Sequence, residues 1–222
     1  MMKLKLVFHI LISLISFVSV ILHICYSPEP LISTTKFTIH SNLLVAITFF
    51  ISSFTILTRK NLNPVLDYLK NCSIIYMAVT LLTYHFFLSS GGEYAGIRIV
   101  TNLTLHYVIP ICIFINWIMF ETKKNYRYMF ILYWILYPVL YSVVSLFRGL
   151  FDGFYPYFFL NPHGEIPFGV GSYSNVVLSI IVFSFVYVIL GFLLILLNKL
   201  FLYIRNKNNP PSNQDMGETK VL

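Results

Sequence analysis

Apolar residues run along this chain in six long stretches, at about 4–26, 38–58, 72–90, 97–120, 128–147 and 170–203, broken by short polar segments. A helix rises about 1.5 Å per residue, so roughly 20 such residues cross the ~30 Å of bilayer hydrocarbon. An unpaired backbone group in hydrocarbon costs several kcal/mol, so each stretch must satisfy its own N–H and C=O groups as a helix. The pattern predicts an all-α polytopic membrane protein, a bundle of six transmembrane helices. Short connections make consecutive helices antiparallel neighbours. The first stretch is expected to remain as helix one, because its apolar part exceeds a signal core and His23-Ile24-Cys25-Tyr26 offers no small-x-small cleavage site.

Two segments depart from this plan. After residue 205 the chain loses its apolar period and includes Asn208-Asn209-Pro210-Pro211, which divides it into a six-helix transmembrane domain at 1–205 and a disordered cytoplasmic tail at 206–222. The connection at 149–169 is long yet full of Phe and Tyr, and such a loop belongs at the interface or folded over the bundle. It is expected to act as a lid, with Tyr155, Pro156 and Tyr157 at its centre and Pro162 stiffening it.

Within the spans, polar residues recur at helical spacing. Helix two carries Thr38, Ser41, Thr48, Ser52 and Thr55 on one stripe with Asn42 beside it; helix four carries Asn102, His106 and Asn116. Helix five carries Trp134, Tyr137, Tyr141, Ser145 and Arg148, and helix six begins with Ser172, Asn175 and Ser179. All these stripes are expected to face inward. Small hydroxylated residues are also the ordinary glue of membrane helix packing.

Charge sets the orientation. Twelve of the 15 Lys and Arg residues, from Lys3 and Lys5 through Arg59, Lys60, Lys70, Lys123, Lys124 and Arg127 to Lys199, Arg205, Lys207 and Lys220, fall on one side of the six-span map. Only Lys36, Arg98 and Arg148 fall on the other, beside Glu29, Glu93, Asp152 and Glu165. The positive-inside rule then makes both termini cytoplasmic. With 58% hydrophobic and 10% charged residues, the chain cannot cover a soluble globule of its size. The +7 net charge reflects attraction to anionic headgroups, so membrane lipids are the expected partners and nucleic acid is not.

Little conventional site chemistry is present. Cys25, Cys72 and Cys112 lack CxxC spacing, and no HxxxH or HExxH pair is found, so neither a metal nor another cofactor is expected. P-loop, GxGxxG and GxSxG motifs are absent, and Ser89-Ser90-Gly91-Gly92 reads as a turn. His106 stands out, because an ionisable side chain inside a span is a functional candidate by default. Counted from Arg98 it lies about 12 Å deep, where desolvation favours the neutral imidazole that accepts a proton from a hydroxyl. Its alternative role is packing, hydrogen-bonded to Asn102, Tyr or Ser. His9 and His23 are read as lying on the surface of helix one, and His40 and His85 as nearer span ends.

The residues Thr38 before Ser41-Asn42-Leu43-Leu44, Thr101-Asn102-Leu103-Thr104-Leu105-His106 with Pro110 following, Tyr137-Pro138 and Tyr155-Pro156-Tyr157-Phe158 resemble the androgen-induced-protein family. That family includes the androgen-dependent regulators of tissue factor pathway inhibitor and bacterial six-helix relatives called Pr-six-Pr proteins. The resemblance covers about residues 5–203. It implies an intramembrane hydrolase of fatty acid esters of hydroxy fatty acids, in the cell membrane, with Thr38 as nucleophile and His106 as its base. Asn42 and Asn102 would be the orienting or oxyanion-donating groups, and an acyl lipid the substrate. Depth alone gives a different ranking. Two residues past Lys36, Thr38 lies only about 3 Å into the membrane, so Ser41, one turn deeper, is the alternative nucleophile. The rival to an enzyme is a non-catalytic lipid-binding or assembly protein. A small-solute transporter has little support without internal repeats or paired intramembrane charges.

Overall fold

The computed structural model describes residues 1–59, 63–89, 94–121, 123–124 and 126–208. Lys60, the turn at 90–92, Glu93, Lys220 and the rest of the tail beyond 208 lie outside the described residues. The helices, in order, are α1 (Met2–Cys25), α2 (Pro30–Thr34), α3 (Phe37–Leu57), α4 (Pro64–Thr83), α5 (Ile97–Leu103), α6 (Ile109–Phe120), α7 (Phe130–Asp152) and α8 (Tyr173–Asn208). A π turn at Tyr84–Leu88 extends α4, and another at Thr104–Val108 joins α5 to α6. Six helical runs are therefore long and apolar enough to cross a membrane, and the described residues contain no strand.

The runs coincide with the six apolar stretches except at their ends. α4 begins at Pro64, eight residues before the expected start, because Pro64 occupies the first helical turn and the Asn63 side chain accepts a hydrogen bond from Val65 N–H at 2.9 Å. Asp67 and Lys70 are thus helical. At the other end of the chain α8 continues to Asn208, three residues past the expected domain boundary at 205.

Large apolar side chains cover the outside of the bundle. Phe50, Phe54, Leu132, Val144 and Phe185 are all more than half exposed, as lipid-facing positions require. Inside, α1 and α3 pack through small residues: Ser13 Oγ donates to Ala46 O and Ser16 Oγ to Asn42 O, both at 2.8 Å. Gly191 of α8 allows a similar approach to α7, since a Cβ there would sit 3.2 Å from Ile131.

Polar stripes face inward on α3 and across α5–α6, where Thr38, Ser41, Asn42, Thr48, Ser52, Asn102, His106 and Asn116 are buried. Those of helices five and six do so only in part. Trp134 and Ser145 are buried but Tyr137 is exposed, and Asn175 turns away from the bundle to donate to Val170 O at 2.7 Å, bracing the start of α8. Helix one corrects the sequence reading outright. His9 and His23 are buried, not superficial. One His9 ring nitrogen lies 3.0 Å from Ser52 Oγ and the other 2.8 Å from Asn116 Oδ1, while His23 meets Thr101 Oγ1 at 3.0 Å. Their partners on α3 and α5–α6 supply the hydrogen bonds that burial demands.

The basic residues gather at one end. Glu121 sits there with Lys70 Nζ at 3.0 Å and Lys5 Nζ at 3.8 Å, and Lys124 pairs with Asp67 at 3.0 Å. Tyr126 bridges Asn71 and Asp67 nearby. Arg148 and Asp152 pair at the opposite end. Six crossings bring the start of α1 and the end of α8 to the lysine-rich end, which the positive-inside rule assigns to the cytoplasm.

Candidate functional site

Three elements converge near the outer end of the bundle. The first is the start of α3. Residues 27–36, including α2, lead into it: Ser33 is buried and Lys36 half-buried, while Pro30, Leu31 and Thr34 are exposed. Thr38 is buried in the first turn of α3, at the positive end of the helix dipole.

The second is the π turn at Thr104–Val108. Pro110 has no N–H to donate to His106 O, and its ring would crowd that carbonyl in a regular helix. The helix widens instead, with Ile109 N–H bonding to Thr104 O five residues back. His106 lies at the centre of this turn and is turned into the bundle, 6% exposed. π turns of this kind concentrate at functional sites.

The expected depth mismatch between Thr38 and His106 is absent. Thr38 Oγ1 lies 3.2 Å from His106 Nε2. The other ring nitrogen, Nδ1, is 2.9 Å from the main-chain oxygen of Asn102. A carbonyl only accepts, so Nδ1 carries the proton and Nε2 in the neutral ring is left as an acceptor aimed at the Thr38 hydroxyl. Tyr84 stacks on the imidazole, with centroids 4.0 Å apart and planes 25° from parallel. The Asn102 side-chain amide donates to the Tyr84 hydroxyl, so one residue orients the histidine through its carbonyl and fixes the stacking ring through its side chain.

The other expected members fall in different places. Asn42 commits both amide hydrogens, to Thr38 O at 2.9 Å and to Leu105 O at 3.1 Å, and so ties α3 to the π turn. It keeps no N–H for an oxyanion. Ser41 is not brought to His106; its hydroxyl meets Thr38 O and Thr80 Oγ1, both at 3.1 Å. Two cations, Lys36 and Arg98, stand at the outer end. Burial and the neighbouring Arg98 hold the Lys36 ammonium below its ordinary range, against a smaller opposing pull from Glu29.

The third element is the loop between α7 and α8. A 3₁₀ turn at Phe158–Leu160 buries Leu160 and sets Phe159 against Phe183 of α8, centroids 4.6 Å apart. Asn161 holds the loop closed: its amide donates to Phe168 O at 2.9 Å and its side-chain oxygen accepts from His163 N–H at 3.0 Å. Tyr155 packs on Gly149, where a Cβ would overlap its ring, while Tyr157 points the other way to meet Thr38.

Thr38 faces an open cleft enclosing about 630 Å³, mouth included. Its walls are Phe37 and Thr38 of α3, Val79, Thr80 and Thr83 of α4, and Leu88 of the π turn that follows it. The far side is Pro138, Val139, Tyr141 and Ser142 of α7 with Ile180, Phe183, Ser184 and Tyr187 of α8; Tyr157, Phe159 and Leu160 of the loop close it. A mostly apolar concavity with a few convergent hydroxyls is the usual form of a site for an apolar ligand. His106 stands behind Thr38, outside this lining. Tyr84 is the contributor that sequence reasoning missed, because an aromatic residue near a span end reads equally well as an interfacial anchor.

The fold and its lipid-facing surface define an integral membrane protein of six spans. No family model, curated protein or solved structure matches this chain.

Proposed function

We propose that this protein is an intramembrane hydrolase of lipid esters in the cell membrane, with Thr38 as nucleophile and His106 as general base. The observation that carries the proposal is the Thr38–His106 contact at 3.2 Å, with the accepting nitrogen fixed by Asn102 and the hydroxyl opening onto an apolar cleft. A threonine hydroxyl is a weak nucleophile until an adjacent base takes its proton. In the first step Thr38 Oγ1 bonds to the ester carbonyl carbon as its proton passes to Nε2, and the protonated ring returns that proton to the departing alcohol. Water then attacks the acyl-threonine, giving its proton to Nε2. The C–O bond to Thr38 breaks, the fatty acid leaves and Thr38 regains its hydrogen.

The cleft favours an acyl chain, and the resemblance to the androgen-induced-protein family favours fatty acid esters of hydroxy fatty acids as the substrate class. The test is hydrolysis of a panel of such esters by the full chain in lipid nanodiscs. Thr38→Ala is expected to abolish turnover, and His106→Ala to lower it by about 10²–10⁴-fold. Equal, measurable turnover by wild type and Thr38→Ala would contradict Thr38 as nucleophile. Absence of turnover in wild type would instead make the site lipid-binding without catalysis.

A further inference from the structure

We propose that Tyr157 is the oxyanion donor of this site, its phenolic O–H bonding to the carbonyl oxygen of the acyl substrate as Thr38 attacks. This rests on the hydrolase proposal above and assigns a role that neither asparagine fills. Acyl transfer builds negative charge on that oxygen, and a positioned donor is usually the largest single catalytic contribution. Asn42 has no free N–H, and Asn102 gives one N–H to Tyr84 and does not line the cleft onto which Thr38 opens.

Tyr157 lines that cleft beside Thr38 and has a proton to give. Its oxygen lies 3.3 Å from Thr38 N, and the backbone N–H can only donate, so this contact uses a phenol lone pair and leaves the phenol proton uncommitted. Thr38 Oγ1, at 3.5 Å, is at the limit of hydrogen bonding and its own proton is directed to His106. When Oγ1 bonds to a carbonyl carbon, the oxyanion develops one bond further on. A donor 3.5 Å from Oγ1 is then close to the 2.7–3.1 Å that an oxyanion requires, with a single weak contact to give up.

The donor is held in place before any substrate arrives. Its ring stacks on Phe159, centroids 5.0 Å apart and planes 7° from parallel, and Phe159 in turn packs on Phe183 of α8. Tyr141 approaches from α7 at 6.5 Å. Burial keeps the phenol above its ordinary range, so the proton stays on at neutral pH. The loop between spans five and six is therefore part of the catalytic apparatus as well as a cover.

The experiment compares wild type, Tyr157→Phe, Thr38→Ala and His106→Ala, each as full chain in nanodiscs, for ester hydrolysis and for affinity toward an alkyl trifluoromethyl ketone, which forms an oxyanion on Thr38. Tyr157→Phe is expected to lower kcat by about 10²–10³-fold with KM little changed, and to weaken the ketone by a similar factor. Should that variant fold poorly, fluorotyrosines installed at position 157 keep the ring, and the rate is expected to shift with phenol acidity. Wild-type kcat in Tyr157→Phe, or a flat response to fluorination, overturns the oxyanion role while the Thr38 and His106 variants remain inactive. If wild type shows neither hydrolysis nor ketone binding, the hydrolase proposal and this one fail together.

Discussion

A neutral imidazole can accept a proton at only one nitrogen, and at His106 the backbone chooses which. The Asn102 carbonyl holds Nδ1–H, so Nε2 faces Thr38, and the Tyr84 ring fixes the plane in which it does so. Tyr84→Ala is therefore expected to leave Thr38 and His106 in place chemically yet loosen their alignment, with kcat falling about 100-fold, as misplacements near 1 Å typically cause. Ser41→Ala, measured in the same assay, is expected to retain activity, because the Ser41 hydroxyl is occupied by Thr38 O and Thr80 and makes no contact with His106. Loss of activity in Ser41→Ala alone would move the nucleophile. At this scale Thr38 and His106 were legible, one by resemblance and the other as an ionisable residue at membrane depth. Tyr84 was not, since its use depends on a contact 22 residues away. Nor were the buried histidines of α1, although His9, Ser13, Ser16 and His23 do recur at intervals of three, four and seven. The apolar residues between them make α1 look uniformly lipid-facing, and only the spacing of its polar residues marks the face it presents to α3.

Elements were easier to read than their irregularities. Hydropathy located all six spans because the bilayer requires length and apolarity over twenty residues, whereas the π turn at Thr104–Val108 depends on one proline acting four residues back. Pro110→Ala restores the missing N–H and removes the crowding at His106 O, which favours a regular helix through Thr104–Val108. That change would rotate His106 away from Thr38. The expected outcome is an activity loss of at least about 100-fold with thermal stability kept or raised, measured on one preparation by hydrolysis and by melting. An unchanged rate would mean that the wide turn is incidental. Aromatic content pointed to a folded external loop, but the side chains divide its labour in a way that composition does not reveal. Tyr155 packs on Gly149, Tyr157 meets Thr38 and Leu160 anchors the turn.

The whole molecule sets charged groups at its two ends, joined by a bundle that is apolar outside and carries buried polar stripes within. At the cytoplasmic end burial would raise the Glu121 carboxyl, but Lys70 and Lys5 outweigh it and hold the group below its usual range. A carboxylate depressed in the folded state contributes stability above its unfolded pKa and loses it as pH falls through the folded value. Melting temperature is thus expected to drop on acidification below the ordinary carboxylate range, and Glu121→Gln to remove most of that dependence. Glu121→Gln also leaves Lys70 buried without its partner, at a cost of about 3–5 kcal/mol at neutral pH. The twelve-to-three division of basic residues gives the orientation, and cysteine accessibility in sealed vesicles is expected to place Arg59 and Lys123 inside and Asp152 outside. At the opposite end, peptide mapping by mass spectrometry after treatment with an alkyl fluorophosphonate tests most directly whether Thr38 is the nucleophile. A single phosphonyl adduct on Thr38 is expected in wild type, none in Thr38→Ala, and little in His106→Ala. An adduct on Ser41 or elsewhere, or none in active wild-type protein, would contradict Thr38 as the nucleophile.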